Sequence, residues 1–441
     1  MAGIASLAKS SGHKVTGCDQ NVYPPMSTQL KDQGITIIEG FGKDQISLNP
    51  DIYIIGNVIA RGNPLMEKIL NDNLAYISGP QWLYENILQN KWVLAIAGTH
   101  GKTTTTAMLT WILEFNEFAP GYLIGGIPNN FDNSARLPAD TKKNAPSFFV
   151  IEADEYDTAF FDKRSKFMHY HPRTLVLNNL EFDHADIFED INHIKKHFHH
   201  LIRIIPKDGQ IIINSENESL KETVNMGIWS EIEYVSDAKG WSYQLNDGWQ
   251  SLVILYKNKK QGVLNWDLIG HHNANNALAA LAAARHIGVS SNKAIEALSL
   301  FKGVKKRMEK IAALNNGITL YDDFAHHPSA IHTTLNGLKL AKIKGRIIAV
   351  IEPRSNTMKL GSMKKDLVES LQNADKVYCY SNNITWDAKE LFAHSENILV
   401  SDNIELIAQE IAQDKQTEDQ IVFMSNGNFS NIQTKVINLL Q

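Results

Sequence analysis

A loop rich in glycine, lysine and threonine follows a short apolar run in the segment WVLAIAGTHGKTTTT (92–106). Glycine permits a tight turn whose backbone N–H groups stay uncovered, and the start of a helix favours a bound phosphate. Lys102 can reach the terminal phosphates of a nucleotide, and the hydroxyl of Thr103 or Thr104 can bind Mg²⁺. The sequence therefore predicts a phosphate-binding loop made by Gly98, Thr99, His100, Gly101, Lys102, Thr103 and Thr104.

This loop departs from the usual phosphate-loop spacing G-x-x-x-x-G-K-[ST], because Ile96 stands where the first glycine belongs. The alternative is a turn between a strand and a helix that binds nothing. A buried lysine without an anion would be costly, so the spacing still favours a nucleotide.

Polar residues follow two further apolar runs, in FFVIEADEYD (148–157) and in LVLNNLEFDHAD (175–186). In a parallel sheet the carboxyl ends of the strands line the ligand crevice. Glu152 is therefore well placed to hold Mg²⁺ through oxygen, and His184 lies at the same kind of strand end. The alternatives are a solvated acidic loop at Glu152 and an ordinary hydrogen-bonded histidine at position 184.

Four histidines lie in the helix-like segment that follows, and His193 and His197 are spaced to share one face of a helix. A zinc site there would need a third or fourth ligand at similar depth, and the chain has no HExxH or CxxC pattern. We therefore expect no zinc site in this segment.

Three polar side chains, those of His272, Asn273 and Asn276, stand at the start of a helix in GHHNANNALAALAAA (270–284). Asparagine amides offer a donor and an acceptor that suit the edge of an adenine ring. Asn273 could instead cap the helix, and both roles are compatible.

The last third of the chain has two more polar strand ends, in YDDFAHHP (321–328) and AVIEPRSNTMK (349–359). Asp322 could accept ribose hydroxyls, and Arg307 in the preceding linker could approach the same nucleotide. The planar fork of Arg354 suits a carboxylate, although this side chain could instead pair with Glu352 or cap a helix.

Composition limits the class of protein. The 441-residue chain is 43% hydrophobic and 21% charged, which is normal for a globular protein of about three domains. Its net charge of −5 and its lack of a basic run argue against nucleic acid. Cys18 and Cys379 are too few for a disulfide framework, which favours the cytoplasm. The alanine-rich run 277–284 is far short of the ~20 residues of a membrane span, so we expect no membrane partner.

Alternation of strand-like and helix-like segments predicts an α/β protein with units at 1–90, 91–303 and 304–441. The first unit begins with a helix that runs into a strand ending at Asp19. We therefore expect the strand and glycine-rich turn that normally open a doubly wound unit to be absent. The tryptophan-rich stretch 229–266 is expected to form a β-hairpin region inside the second unit.

The motifs GTHGKTT, EADE, NNLEFDH, GHHNANN and YDDFAHHP, in this order, resemble those of the Mur ligase family. The resemblance implies a Rossmann-like N-terminal domain, a central P-loop ATPase-type domain with a parallel sheet, and a Rossmann-like C-terminal domain. It also implies ATP and Mg²⁺ as cofactors, UDP-N-acetylmuramate as a substrate, and a monomer or weak homodimer.

The stretches DQNVYPPMST, GPQWL, EADEYDTAFFDKRSKF and EPRSNTMK resemble the recycling branch of this family more closely. That branch joins the tripeptide L-alanyl-γ-D-glutamyl-meso-diaminopimelate to the lactyl carboxylate through an acyl phosphate. One alternative is the family branch that adds free L-alanine in de novo peptidoglycan synthesis. More distant alternatives are a folylpolyglutamate synthetase and a non-enzymatic P-loop nucleotide-binding regulator.

The resemblance also implies roles for single residues. Lys102 and the loop amides would hold the phosphates, and the expected Mg²⁺ ligands are Thr103, Glu152 and His184. The residues expected at the base, the ribose or the reacting phosphate are His272, Asn273, Asn276, Arg307 and Asp322. The residues expected at the uridine rim are Asp19, Asn57 and Asn63.

The remaining expected roles concern the two substrates that react. Arg136 and His326 would lie near the muramyl substrate, and His326 is the candidate general base. Arg354 would bind a distal carboxylate of the peptide. Several family members have a carbamylated lysine about fifteen residues beyond the metal-binding histidine, and His199 stands there in this chain.

Overall fold

The computed structural model describes residues 1–20, 22, 26–139, 146–182, 188–246, 248–341, 344–361, 363–382 and 384–441. None of the helices in this described part is long and apolar enough to cross a bilayer.

The N-terminal unit holds short strands and helices. Its elements are α1 (Ala2–Ser10), β1 (Thr16–Asp19), α2 (Met26–Asp32), β2 (Thr36–Glu39), β3 (Tyr53–Ile55), α3 (Pro64–Asn71), β4 (Tyr76–Ser78) and α4 (Gly79–Leu83). β1 pairs with β2 in one parallel sheet, and β3 pairs with β4 in another. The strand ends of this unit therefore lie in two separate two-stranded sheets.

The central unit is built on one ten-stranded sheet with the order β16-β15-β14-β13-β12-β11-β5-β8-β6-β7. Its strands are β5 (Trp92–Ala97), β6 (Gly121–Leu123), β7 (Ala135–Arg136), β8 (Phe148–Ala153), β11 (Thr174–Leu177), β12 (Gln210–Asn214), β13 (Glu231–Val235), β14 (Trp241–Leu245), β15 (Ser251–Tyr256) and β16 (Lys259–Asn265). A separate hairpin is formed by β9 (Asp157–Ala159) and β10 (Asp162–Ser165). The helices of the central unit are α5 (Lys102–Phe115), α6 (Ile191–Arg203), α7 (Glu218–Asn225), α8 (His271–His286) and α9 (Ser291–Leu298).

The C-terminal unit has a six-stranded sheet with the order β17-β18-β22-β19-β20-β21. Its strands are β17 (Glu309–Ala313), β18 (Thr319–Asp323), β19 (Ile347–Ile351), β20 (Lys376–Tyr380), β21 (Ile398–Ser401) and β22 (Gln420–Met424). Its helices are α10 (Pro328–Leu340), α11 (Asn356–Leu360), α12 (Lys364–Ser370), α13 (Ala388–Leu391), α14 (Ile404–Asp414) and α15 (Ile432–Leu440).

The inner strands of both large sheets are buried on both faces, which explains why β5, β8, β11, β19 and β22 are almost continuously apolar. In β5, Leu94 and Ile96 pack into one core with α5 and α8, whereas Val93, Ala95 and Ala97 pack into the opposite core with α6. The predicted α/β fold is confirmed, and the tryptophan-rich stretch does contain the antiparallel strands β14, β15 and β16.

The strand order places three chemically important strand ends side by side. β5 lies between β11 and β8, all three are parallel, and Ala97 is in register with both Ala153 and Leu177. The loops that follow these strands must therefore meet at one edge of the sheet.

Candidate functional site

The loop after β5 has the tight conformation that its glycines predict. Gly98 and Gly101 have φ angles of 144° and 80°, which L-residues rarely adopt. A Cβ atom at Gly98 would lie 3.1 Å from the carbonyl oxygen of Asn179, and one at Gly101 would lie 2.5 Å from Oδ1 of Asn276. Glycine is needed at both positions because neighbouring segments close on the loop.

Two of the loop amides that were expected to face phosphate are already paired within the protein. The N–H of Thr99 donates to the carbonyl oxygen of Asn179 at 3.2 Å. The N–H of His100 donates to Oδ1 of Asn179 at 2.7 Å, and the Asn179 amide donates back to the carbonyl oxygen of His100 at 3.1 Å. Asn179 therefore fixes the first half of the loop, and the phosphate contacts of the loop stay a prediction.

Lys102 lies at the start of α5 with 11% of its side chain exposed. Its ammonium donates to the carbonyl oxygen of Gly98 at 2.7 Å and to Oε2 of Glu155 at 3.0 Å, and Asp154 lies 3.8 Å away. Burial alone would lower the pKa of Lys102, but the carboxylates of Glu155, Asp154 and Glu152 outweigh that effect and raise it. The lysine is therefore held as a fixed positive charge at the loop.

Glu152 and Thr103 bring two oxygen ligands together beside this lysine. The Thr103 hydroxyl donates to Oε2 of Glu152 at 3.2 Å, and the Gly125 N–H donates to Oε1 at 2.6 Å. Burial, followed by the charge of Asp154, raises the pKa of Glu152. A bound cation would stabilise the ionised carboxylate, and a hydroxyl with a carboxylate is a donor pair that suits Mg²⁺. The residues present therefore fit the implied metal.

His184, the third expected metal ligand, lies outside the described residues. The segment just before it does reach the loop: the Asn178 amide donates to Oγ1 of Thr105 at 2.9 Å, and the Glu181 N–H donates to Oγ1 of Thr99 at 2.9 Å. The chain therefore lies beside the phosphate loop as far as Glu181, three residues before His184.

Arg307 also reaches the loop. One guanidinium nitrogen donates to the Thr103 hydroxyl at 3.2 Å, and the guanidinium carbon lies 4.8 Å from the centre of the Phe324 ring. Asp322, expected beside it at the ribose, accepts instead from the Gln433 amide at 3.1 Å, and burial raises the pKa of its carboxyl group. The structure thus places Arg307 beside Thr103, an expected metal ligand, and the ribose roles of Arg307 and Asp322 stay predictions.

The start of α8 lies against both the loop and the C-terminal unit. Oδ1 of Asn276 accepts from the side-chain amide of Asn178 at 3.4 Å, and the side-chain amide of Asn273 donates to the backbone carbonyl oxygen of Ile269 at 2.8 Å. His272 lies in the gap where α8 approaches Gly337 of α10. Burial, with a smaller effect of neighbouring His271, lowers the pKa of His272 to about 4, so this ring is neutral near pH 7.

His326 and Arg354 come from the C-terminal unit. Nδ1 of His326 lies 3.0 Å from the carbonyl oxygen of Phe324. Arg354 is exposed, and its guanidinium packs over Gly427. Glu352 accepts from the Ser425 hydroxyl at 2.5 Å, and the N-cap of α11 is Ser355. The peptide-binding role of Arg354 stays a prediction.

The residues expected at the sugar nucleotide are more scattered. Arg136 forms a bidentate ion pair with Glu114, near the C-terminal end of α5, and also donates to the carbonyl oxygen of Pro120 at 3.1 Å. Asp19 and Asn57 are exposed at the ends of β1 and β3, and Asn63 caps α3 by accepting from the Met66 N–H at 3.0 Å. The muramyl role of Arg136 and the uridine roles of the other three stay predictions.

His193 and His197 do share a face of α6, with their Nε2 atoms 3.2 Å apart. Nδ1 of His197 lies 2.7 Å from the Ser165 hydroxyl, and Phe188 packs against both rings. The structure therefore brings these two imidazole rings into contact, as their spacing in the sequence predicts.

Sequence reasoning missed the residues that complete the loop by tertiary contact. Glu155 was visible in EADE but not assigned, and it is the closest carboxylate to the Lys102 ammonium among the described ion pairs. Asn178 and Asn179 were visible in NNLEFDH, where a strand end beside the phosphate loop was the available signal. The Ser329 hydroxyl lies 2.9 Å from Nε2 of His100 in the loop and 2.7 Å from Nδ1 of His327. Spacing in the sequence could not indicate that these two residues lie beside the loop.

The chain matches three domain families along its length. Residues 1–91 match "Mur ligase family, catalytic domain", residues 96–284 match "Mur ligase middle domain", and residues 306–427 match "Mur ligase, glutamate ligase domain".

The chain is 50% identical over 442 residues to the UDP-N-acetylmuramate–L-alanyl-γ-D-glutamyl-meso-2,6-diaminoheptandioate ligase of Escherichia coli (strain K12), covering 99% of this chain and 95% of that protein. It is 42% identical to the crystal structure of a murein peptide ligase from Psychrobacter arcticus 273-4, with a TM-score of 0.76, covering 100% of this chain and 96% of that one. The UDP-N-acetylmuramate–L-alanine ligase of Clostridium perfringens is 29% identical over 381 residues, covering 86% of this chain and 79% of that protein.

Proposed function

The chain belongs to the Mur ligase family, and we propose that it joins UDP-N-acetylmuramate to L-alanyl-γ-D-glutamyl-meso-diaminopimelate in murein recycling. The new bond is an amide between the lactyl carboxylate and the free amine of the peptide's alanine, and ATP drives its formation. The observation that carries the proposal is the match, over almost the whole chain, to a ligase named for these two substrates.

The alternative of an L-alanine ligase is supported by more distant relatives, at 29% identity against 50%. It uses the same sugar nucleotide and differs only in the amine that is accepted. The proposed peptide contact of Arg354 favours the tripeptide, because a guanidinium fork suits one of its distal carboxylates.

The first step activates the carboxylate. The lactyl carboxylate attacks the γ-phosphate of ATP, the bond to the β-phosphate breaks, and an acyl phosphate and ADP form. Both reactants are anions, so the fixed charge of Lys102 lowers their repulsion and holds the transferred phosphate in line. Thr103, Glu152 and His184 would hold Mg²⁺, which supplies further neutralising charge when bound.

The second step forms the amide. The alanine amine attacks the acyl carbon, phosphate leaves, and the amine gives up a proton. His326 is our candidate to accept that proton, since imidazole titrates near neutral pH. The contacts of α8 and Arg307 across the unit boundary would help to exclude water, which would otherwise hydrolyse the acyl phosphate. A reaction that needs ATP and a UDP-sugar also points to the cytoplasm.

The test is release of ADP with UDP-N-acetylmuramate and, in turn, L-alanine, L-alanyl-γ-D-glutamate and the tripeptide. We expect the tripeptide to give the highest kcat/KM. Faster turnover with free alanine would support the alternative ligase. Hydrolysis of ATP that is indifferent to both the sugar nucleotide and the amine would indicate a nucleotide-binding regulator instead.

A further inference from the structure

A second group of polar side chains lies where the central unit meets the C-terminal unit. His100 comes from the phosphate loop, Glu181 from the segment after β11, and His327 from the turn that starts α10. Each offers one ligand atom, and these atoms all lie within 4.8 Å of one another. Three segments that are far apart in sequence thus converge on one point.

The distances within this group approach those of a metal site. Nε2 of His100 lies 3.5 Å from Oε2 of Glu181. Two ligands of a tetrahedral zinc ion, with bonds of about 2.0–2.2 Å, lie roughly 3.3–3.6 Å apart. One pair is therefore already at the required spacing, and the third ligand needs only a small side-chain movement.

A serine hydroxyl bridges the two histidines of the group. The Ser329 hydroxyl lies 2.9 Å from Nε2 of His100 and 2.7 Å from Nδ1 of His327. This hydroxyl ties the first turn of α10 to the phosphate loop, and it is also close enough to become a fourth ligand, through oxygen.

The chemistry of the ligands differs from that expected at Thr103 and Glu152. Two imidazoles and a carboxylate suit zinc and similar transition-metal ions, whereas Mg²⁺ prefers oxygen ligands alone. Hydrogen bonding to His100 is the main reason why the pKa of Glu181 falls to about 2, so this ligand is anionic near neutral pH.

We propose that His100, Glu181 and His327 bind a divalent transition-metal ion that joins the phosphate loop to the start of α10. The site goes beyond the proposed ligase activity, because that reaction requires neither imidazole pair nor transition metal. An ion bound there would hold the C-terminal unit against the loop.

The probe is Co²⁺, whose visible absorption reports four-coordinate binding, followed by displacement with Zn²⁺. The whole chain is first freed of metal with a chelator and kept in excess Mg²⁺ without nucleotide. We expect about one tightly bound Co²⁺ per chain that excess Mg²⁺ does not displace.

Two variants test the assignment. Glu181→Gln keeps the shape of the side chain but removes its charge, and His327→Asn removes the imidazole while keeping an acceptor for the Ser329 N–H at the start of α10. Each of these two variants should weaken Co²⁺ binding at least tenfold. Circular dichroism then checks that the variant is folded. His332→Ala, at an exposed position on the same helix, is the matched control and should bind as tightly as the parent chain.

The paired histidines on α6 provide the competing site. The double variant His193→Ala, His197→Ala should leave Co²⁺ binding unchanged. The proposal is overturned if this double variant loses the ion, if Glu181→Gln and His327→Asn both bind normally, or if the parent chain takes up no Co²⁺ at micromolar concentration.

Discussion

The Lys102 side chain in the phosphate loop is 11% exposed, and its ammonium has a carbonyl oxygen at 2.7 Å and a carboxylate oxygen at 3.0 Å. Asn57 in the N-terminal unit, by contrast, is exposed two residues beyond a three-residue strand. The loop lies at the edge of a ten-stranded sheet. The N-terminal unit offers two separate two-stranded sheets. Predicted functional residues thus lie at the edge of a large sheet in the central unit and beside two small sheets in the N-terminal unit.

The two regions differ in what surrounds a polar or charged side chain before any ligand binds. At the loop, each buried charge has an opposite charge or a backbone dipole before any ligand binds, so the site is held ready for phosphate. At the rim of the N-terminal unit, Asn57 is exposed, so changing it should cost little stability, whereas Asn63 also caps α3. We therefore expect loop variants to affect chemistry and folding together, and variants of an exposed rim residue such as Asn57 to affect substrate binding alone.

The largest expected effect follows removal of the loop lysine. Lys102→Ala should lower ADP release by at least about 10³-fold, because a preorganised charge on the transferred phosphate is lost. Lys163→Ala, at a side chain that is 71% exposed, is the control and should retain activity. Turnover of a folded Lys102→Ala chain near the parent rate would remove this lysine from the mechanism.

A smaller effect is expected at the metal ligands. Glu152→Gln should raise the Mg²⁺ concentration for half-maximal activity by roughly 10–100-fold, because a neutral amide binds Mg²⁺ less tightly than a carboxylate. Titration of activity against Mg²⁺ measures this. If Glu155→Gln shifts the Mg²⁺ dependence as much as Glu152→Gln does, the assignment of Glu152 as the ligand is wrong.

Glu155→Gln should show how the loop is prepared for its ligand. Loss of the carboxylate that pairs with buried Lys102 should lower the free energy of unfolding by about 1.5–3 kcal/mol. A non-hydrolysable ATP analogue should then raise the melting temperature of the variant more than that of the parent, since its phosphates replace the missing charge. An equal gain in both chains would mean that Lys102 does not contact the phosphates.

The loop and its strands could be predicted because their determinants are local. The apolar runs before Gly98, Glu152 and Asn178 specify buried parallel strands, and the glycines specify the turn. The meeting of these three strand ends then follows from the general rule that ligands bind at carboxyl ends of parallel strands.

The contacts of Arg136 and Arg307 could not be predicted from the sequence, because each joins segments that are distant in the chain. Nothing near Arg136 in sequence indicates that Glu114 accepts its guanidinium, because the pairing needs β7 to lie beside the end of α5. Likewise, the approach of Arg307 to Thr103 depends on how the C-terminal unit sits against the loop. Spacing alone cannot supply either arrangement.

The smallest effects are expected at the rim of the N-terminal unit. Variants of Asn63 test whether a rim residue acts on substrate binding separately from stability. Asn63→Ala should lower stability by about 1 kcal/mol, because the Met66 N–H loses its cap, whereas Asn63→Asp keeps an acceptor and should keep the stability. Both variants should raise the KM for UDP-N-acetylmuramate by roughly 2–10-fold, since each alters an amide that is proposed to meet uridine. Asn57→Ala is the companion variant, with the same rise in KM and no loss of stability. If Asn63→Asp has the KM of the parent chain as well as its stability, then Asn63 acts on substrate binding only through the fold. Binding and stability would then change together at Asn63, as we expect them to do in the loop.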